Sequence, residues 1–121
     1  MIKERLVPLP HLPVTVYVCV TEDILSARKR PSVLEDIGPF DASPGFIGGL
    51  CSFENGIGYI FINPDTSNDT IAHECFHMVF QIMDYIGSSL SEESNEIYAY
   101  HLGHIVKEVD ITVKQYNKDK D

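Results

Sequence analysis

The chain has 121 residues, 44% of them apolar and 22% charged, which suits one folded domain and argues against disorder throughout. Its net charge is −9 and its basic residues form no run beyond Arg28-Lys29-Arg30, which argues against a nucleic-acid partner. No apolar stretch approaches the roughly 20 residues that span a bilayer, and no apolar run before a small-residue cleavage site follows Lys3 and Arg5, so no membrane partner and a cytoplasmic location are expected.

Cys19, Cys51 and Cys75 are odd in number and lack CxxC spacing, so neither a disulfide framework nor a thiolate metal site is suggested. Residues 1–13 read as an N-terminal arm punctuated by Pro8, Pro10 and Pro13. The β-branched and aromatic run 14–20 predicts a strand. Thr21 is placed to cap a short helix over 22–30 that Pro31 stops, and residues 31–45, with three prolines and two glycines, read as an irregular loop. Asn55-Gly56 between apolar runs predicts an antiparallel hairpin with strands at about 47–54 and 57–63. Ser67 or Asn68 then caps a helix from about 68 to Ile86, ended by Gly87. A second long helix is expected from Ser91 or Glu92 to about Tyr116, with a frayed tail at 117–121. The expected fold is α+β: a small, antiparallel-containing sheet packed on two long helices, all within a single domain spanning residues 1–121.

Within the first long helix, residues 73–77 read His-Glu-Cys-Phe-His. Four residues make about one helical turn, so His73 and His77 leave the same face and can meet one metal ion. Glu74 falls beside that face, where a general base can reach a metal-bound water without being a ligand. Cys75 points away and reads as a small core residue. The remaining residues of this helix are apolar nearly all round, so it is expected to be buried, with the metal satisfying its polar groups.

A third ligand must come from outside this turn, and the candidates are Asp84, Glu92, Glu93, Glu96, His101 and His104. Asp84 lies about 10 Å along the axis from His77, too far to ligate the same ion. An antiparallel second helix needs some ten residues to return to the level of His77, which favours Glu96 over Glu92 and Glu93. Glu96 also shares a face with Ala99 and Gly103, small residues that permit close helix approach.

His-Glu-Cys-Phe-His at 73–77, together with Asn95-Glu96-Ile97-Tyr98-Ala99, resembles the gluzincin branch of the zincin metalloproteases. The resemblance spans roughly residues 57–106. It implies one zinc ion held by His73, His77 and Glu96, with Glu74 as the catalytic base in peptide-bond hydrolysis. Phe80 and Asp84 stand where the metzincin pattern HExxHxxGxxH has glycine and histidine, so that branch is set aside. The resemblance further implies a peptide or protein substrate that pairs with an edge strand at 58–63. Oxyanion-stabilising residues of thermolysin-like enzymes sit beyond the end of this chain, leaving Tyr98, Tyr100, His101 and His104 as substitutes. The alternative to a protease is a regulatory or interaction module that holds zinc in the same His/His/Glu site and cleaves nothing.

Overall fold

A computed structural model describes residues 1–39 and 48–121. Four strands and four helices follow one another as β1 (Ile2–Val7), β2 (Thr15–Thr21), α1 (Ile24–Arg28), α2 (Pro31–Ile37), β3 (Gly49–Glu54), β4 (Ile57–Ile62), α3 (Asn68–Tyr85) and α4 (Asn95–Lys120). The fold is α+β, around a mixed sheet in the order β1-β2-β4-β3. β1 and β3 run antiparallel to their neighbours, while β2 and β4 pair in parallel. No helix among the described residues is long and apolar enough to cross a membrane.

The two central strands are apolar on both faces because both faces are covered. Side chains of a strand alternate between faces. Val16, Val18 and Val20 of β2 join Ile60 and Ile62 of β4 in a core with Cys75, Met78, Val79 and Ile82 of α3 and Ile105 and Val109 of α4. The intervening Cys19, Tyr59 and Phe61 face a second core with Ile24, Ala27, Val33 and Ile37 of α1 and α2. The long helices therefore cover one side of the sheet and the short helices the other.

Several expectations are corrected. The proline-punctuated arm contains a strand: β1 pairs with β2 from Ile2↔Thr21 to Val7↔Val16. It carries no apolar alternation because Lys3 and Arg5 point at α4, where they meet Asp119 at 2.7 Å and Glu108 at 3.1 Å. Inward charge of this kind suits an edge strand. α1 is capped by Asp23, whose side chain accepts from Ser26 N, rather than by Thr21. Pro31 opens α2 instead of merely ending a helix, since a missing N–H costs nothing in a first turn. The rest of the loop expected at 31–45, and the first residue of the strand expected at 47, lie outside the described residues apart from 38–39. α4 starts at Asn95, later than expected, and persists through Lys120 rather than fraying at 117. Its last turn is tied down by Lys120 on Glu22 (3.1 Å) and Asp119 on Lys3 (2.7 Å).

The strand at 58–63 is not an edge. β4 is paired on both sides, with β2 and with β3, so its backbone has no row of groups left for a peptide. The edge on that side of the sheet is β3.

The hairpin formed as its turn residues require. Asn55 at φ 51° and Gly56 at φ 83° link Glu54 to Ile57. We expect Gly56→Ala to lower stability by about 1–2 kcal/mol, the cost of holding an L side chain in the left-handed region. A Cβ there would also stand 3.1 Å from Tyr85 Oη. The urea midpoint reads this, and an unchanged midpoint would refute the turn geometry.

Candidate metal centre

α3 places the motif. Asn63 Oδ1 accepts from Asp65 N at 2.9 Å, folding the chain out of β4, and the side chain of Ser67 accepts from Thr70 N to cap the helix. Gly87, at φ 82°, ends it. Between these points His73 and His77 stand one turn apart on the same face. Their Nε2 atoms lie 3.1 Å from one another, with the rings nearly perpendicular at 84°.

That face is exposed rather than buried, which corrects the expectation of an all-round apolar, enclosed helix. His73 and His77 are exposed, as are Phe76 and Phe80 at 42% and 47%. The apolar residues divide: Cys75, Met78, Val79, Ile82 and Met83 enter the core, while the two phenylalanines stay in water. The histidines thus do not need a metal to escape burial. What remains is their convergence. Two imidazole nitrogens bound tetrahedrally at about 2.0–2.1 Å from one zinc lie about 3.3 Å apart, close to the 3.1 Å seen here. Without a metal the same contact is a hydrogen bond between rings in opposite tautomers.

Glu74 lies beside this face, turned towards β3. A Cβ on Gly49 would come within 2.9 Å of Glu74 Cγ, so the bare glycine of the edge strand makes room for the carboxylate stem. Glu74 Oε2 is buried and has no hydrogen-bond partner among the described residues. A buried carboxylate oxygen without a partner costs about 1–3 kcal/mol or more, so this atom is held where a proton donor or cation would satisfy it. Its charge is felt nearby: burial first, then Glu74, pushes the Cys75 thiol up to about 12 and holds Cys51 well above the usual thiol range. Cys75 is fully buried, a core residue as expected, and its thiol stays protonated.

Gly49 was not singled out from the sequence. The signal was present in the doublet Gly48-Gly49 at the start of a strand, where glycine often marks close approach of another group.

The other candidates fall elsewhere. Glu96 is exposed in the first turn of α4, and Glu92 and Glu93 are exposed in the segment before it. Among the described residues no group of three or more His, Cys, Asp or Glu side chains is assembled to hold a metal, so Glu96 is not drawn in with the histidine pair. Asp84 is exposed on α3, further along the same stripe. Tyr98 is buried and donates to Ser88 O at 2.6 Å. His104 Nε2 donates to Pro8 O at 2.7 Å, and with His101 it lines a cavity of about 360 Å³ whose other wall is Pro8–Leu12. Burial first, then His104, lowers the His101 pKa. These two histidines belong to the packing of the N-terminal segment on α4. No protein-family model, curated protein or solved structure matches the chain.

Proposed function

We propose that the protein is a zinc-dependent peptide hydrolase whose metal is held by His73, His77 and Glu96, with Glu74 as the base. The observation that carries this reading is the pair of Nε2 atoms 3.1 Å apart on an exposed helix face, next to a carboxylate with one oxygen buried and without a partner among the described residues. Zinc at such a site supplies Lewis acidity and brings the pKa of a coordinated water down to about 7. The residues supply the rest. His73 and His77 fix the position by their one-turn spacing. Glu74, seated against Gly49, accepts the proton from the attacking water and passes it to the leaving amine.

The helix register supports Glu96 as third ligand. Asn68 and Ile71 of α3 share a groove with Gly103 and Val106 of α4, while Tyr98 reaches Ser88 beyond the end of α3, so the helices are antiparallel. Counting seven residues, about 10 Å, from Ile71 along α3 and from Gly103 back along α4 brings Glu96 level with Met78, beside His77. Glu96 and Gly103, seven apart, share a face of α4 that stays open: a Cβ on Gly103 would meet nothing within 4 Å, so the close helix approach expected there does not form. An exposed glutamate has the rotamer freedom to turn towards the pair.

β3 takes over the substrate role expected of 58–63. It is the sheet edge beside α3, and a Cβ on Gly49 at its start would come within 2.9 Å of the Glu74 stem. An extended peptide added to this edge by backbone pairing would pass close to Glu74.

The test is metal analysis of purified wild type beside Glu96→Ala. Wild type should carry one zinc per chain, and Glu96→Ala should bind zinc more weakly by at least the ~10–100-fold that loss of an outer-sphere partner costs. Equal affinity removes Glu96 from the site. The exposed Phe76 and Phe80 favour a second reading, an interaction module that holds zinc without turnover. One zinc per chain with no hydrolysis of any peptide in a diverse library would select it.

A further inference from the structure

The sequence distributes its charge unevenly. All nine Lys and Arg residues fall within 1–30 and 107–121; residues 31–106 contain none, against eleven Asp and Glu. The ion pairs follow that division. Lys3–Asp119, Arg5–Glu108, Lys114–Asp110 and Lys120–Glu22 gather along the second half of α4, and Arg30–Glu4 ties β1 to the residues after α1. β3, α3 and the first turns of α4 have acidic residues but no Lys or Arg of their own, and β4 has no charged residue.

One face of α3 combines this charge with exposed aromatic surface. Asp69, His73, Phe76, His77, Phe80 and Asp84 recur at helical spacing, and all six are exposed. The Phe76 and Phe80 ring centroids are 6.4 Å apart. An aromatic pair left in water on a helix whose opposite face builds the core marks an interaction site. Here that pair is bracketed by a carboxylate at each end.

We propose that this stripe docks a cationic peptide: an extended segment with apolar side chains on Phe76 and Phe80 and a Lys or Arg on either side. Charge complementarity selects the occupant: Asp69 and Asp84 bracket the aromatic pair, residues 31–106 hold no Lys or Arg, and Lys107 lies across the groove that Asn68 and Ile71 line, at the Asp69 end only. Phe80 to Asp84 is about 6 Å along the axis and Phe76 to Asp69 about 10 Å. An extended peptide at about 3.3 Å per residue covers those distances in two and three residues, which sets where its cations belong. The histidines lie within the same stripe, so docking carries the peptide across the proposed metal site. Cleavage of the docked peptide rests on the hydrolase reading; docking itself does not.

The experiment titrates dye-labelled peptides of one design, an apolar pair flanked at those spacings by Lys, Gln or Glu, with the full chain, reading fluorescence anisotropy. At low salt the Lys-flanked peptide should bind at least ~10-fold tighter than the Glu-flanked one. The three should converge near 0.5 M salt, where the Debye length is only about 4 Å. Asp69→Asn combined with Asp84→Asn should remove most of the preference, and Phe80→Ser should weaken all three peptides alike; both changes are at exposed positions, and an unchanged urea midpoint checks the fold. Equal affinity for all three peptides would overturn the proposal, as would unaltered binding by the Asp variants. So would a concentration-dependent dimer in light scattering that peptide does not dissolve, because a second copy would then own the face. Cleavage is scored separately. Binding in the expected order without cleavage keeps this inference and sinks the hydrolase. Cleavage at equal kcat/KM for Lys- and Glu-flanked peptides does the reverse.

Discussion

Glu74→Gln should retain one zinc per chain and lose about 10²–10⁴-fold in turnover, the usual worth of a positioned general base. The substitution keeps the shape of the side chain, so the stem still fits against Gly49 and the helix still packs. What changes is basicity: an amide cannot accept the proton of the attacking water. Zinc content and kcat must be measured on the same preparation. Loss of zinc would mean that Glu74 is a ligand or a support for one. Full activity with full zinc would show that the base lies elsewhere. Because Glu74 Oε2 is buried without a partner among the described residues, the neutral amide should also cost little stability, and a stable, inactive, zinc-loaded variant is the expected combination.

Phe61→Ala should destabilise the protein by about 3–5 kcal/mol, the range for truncating a fully buried phenylalanine. Phe61 has no exposed surface. It stacks on Tyr59 with ring centroids 5.6 Å apart, and Tyr59 in turn donates to Asp36 of α2 at 2.6 Å. Loss of the ring would open a cavity between the sheet and the short helices. Against a typical stability of about 5–15 kcal/mol this is a large fraction. The urea midpoint should fall accordingly with little change in slope. Phe61 faces away from α3, so zinc affinity measured below the unfolding transition should match wild type. A cost below about 1 kcal/mol would contradict a second packed core.

Local chemistry made much of this protein readable. The Asn55-Gly56 turn, the Ser67 cap and the Gly87 stop each depend on residues close in sequence, and each formed where expected. The spacing of His73 and His77 is likewise a property of one helical turn, which is why their convergence was legible before any packing was known.

The α1 cap and the role of Pro31 were misread locally, but β1, α3 and β4 misled because their signals depend on a distant partner. β1 lacks apolar alternation because its inward side chains are Lys3 and Arg5, and only α4, more than a hundred residues away, supplies their carboxylates. α3 read as buried all round because composition gives the number of apolar residues but not where neighbours stop; the sheet and α4 cover one face and leave Phe76, Phe80 and both histidines in solvent. β4 read as an edge because sequence order puts it next to the helix, whereas the parallel pairing with β2 makes it central. Turns, caps, long helices and the histidine pair are thus written into neighbouring residues, because short-range sterics and hydrogen bonds settle them. The identity of the edge strand, the face of α3 that meets water and the room that Gly49 leaves for Glu74 came from packing alone, because each depends on which surfaces meet across the fold.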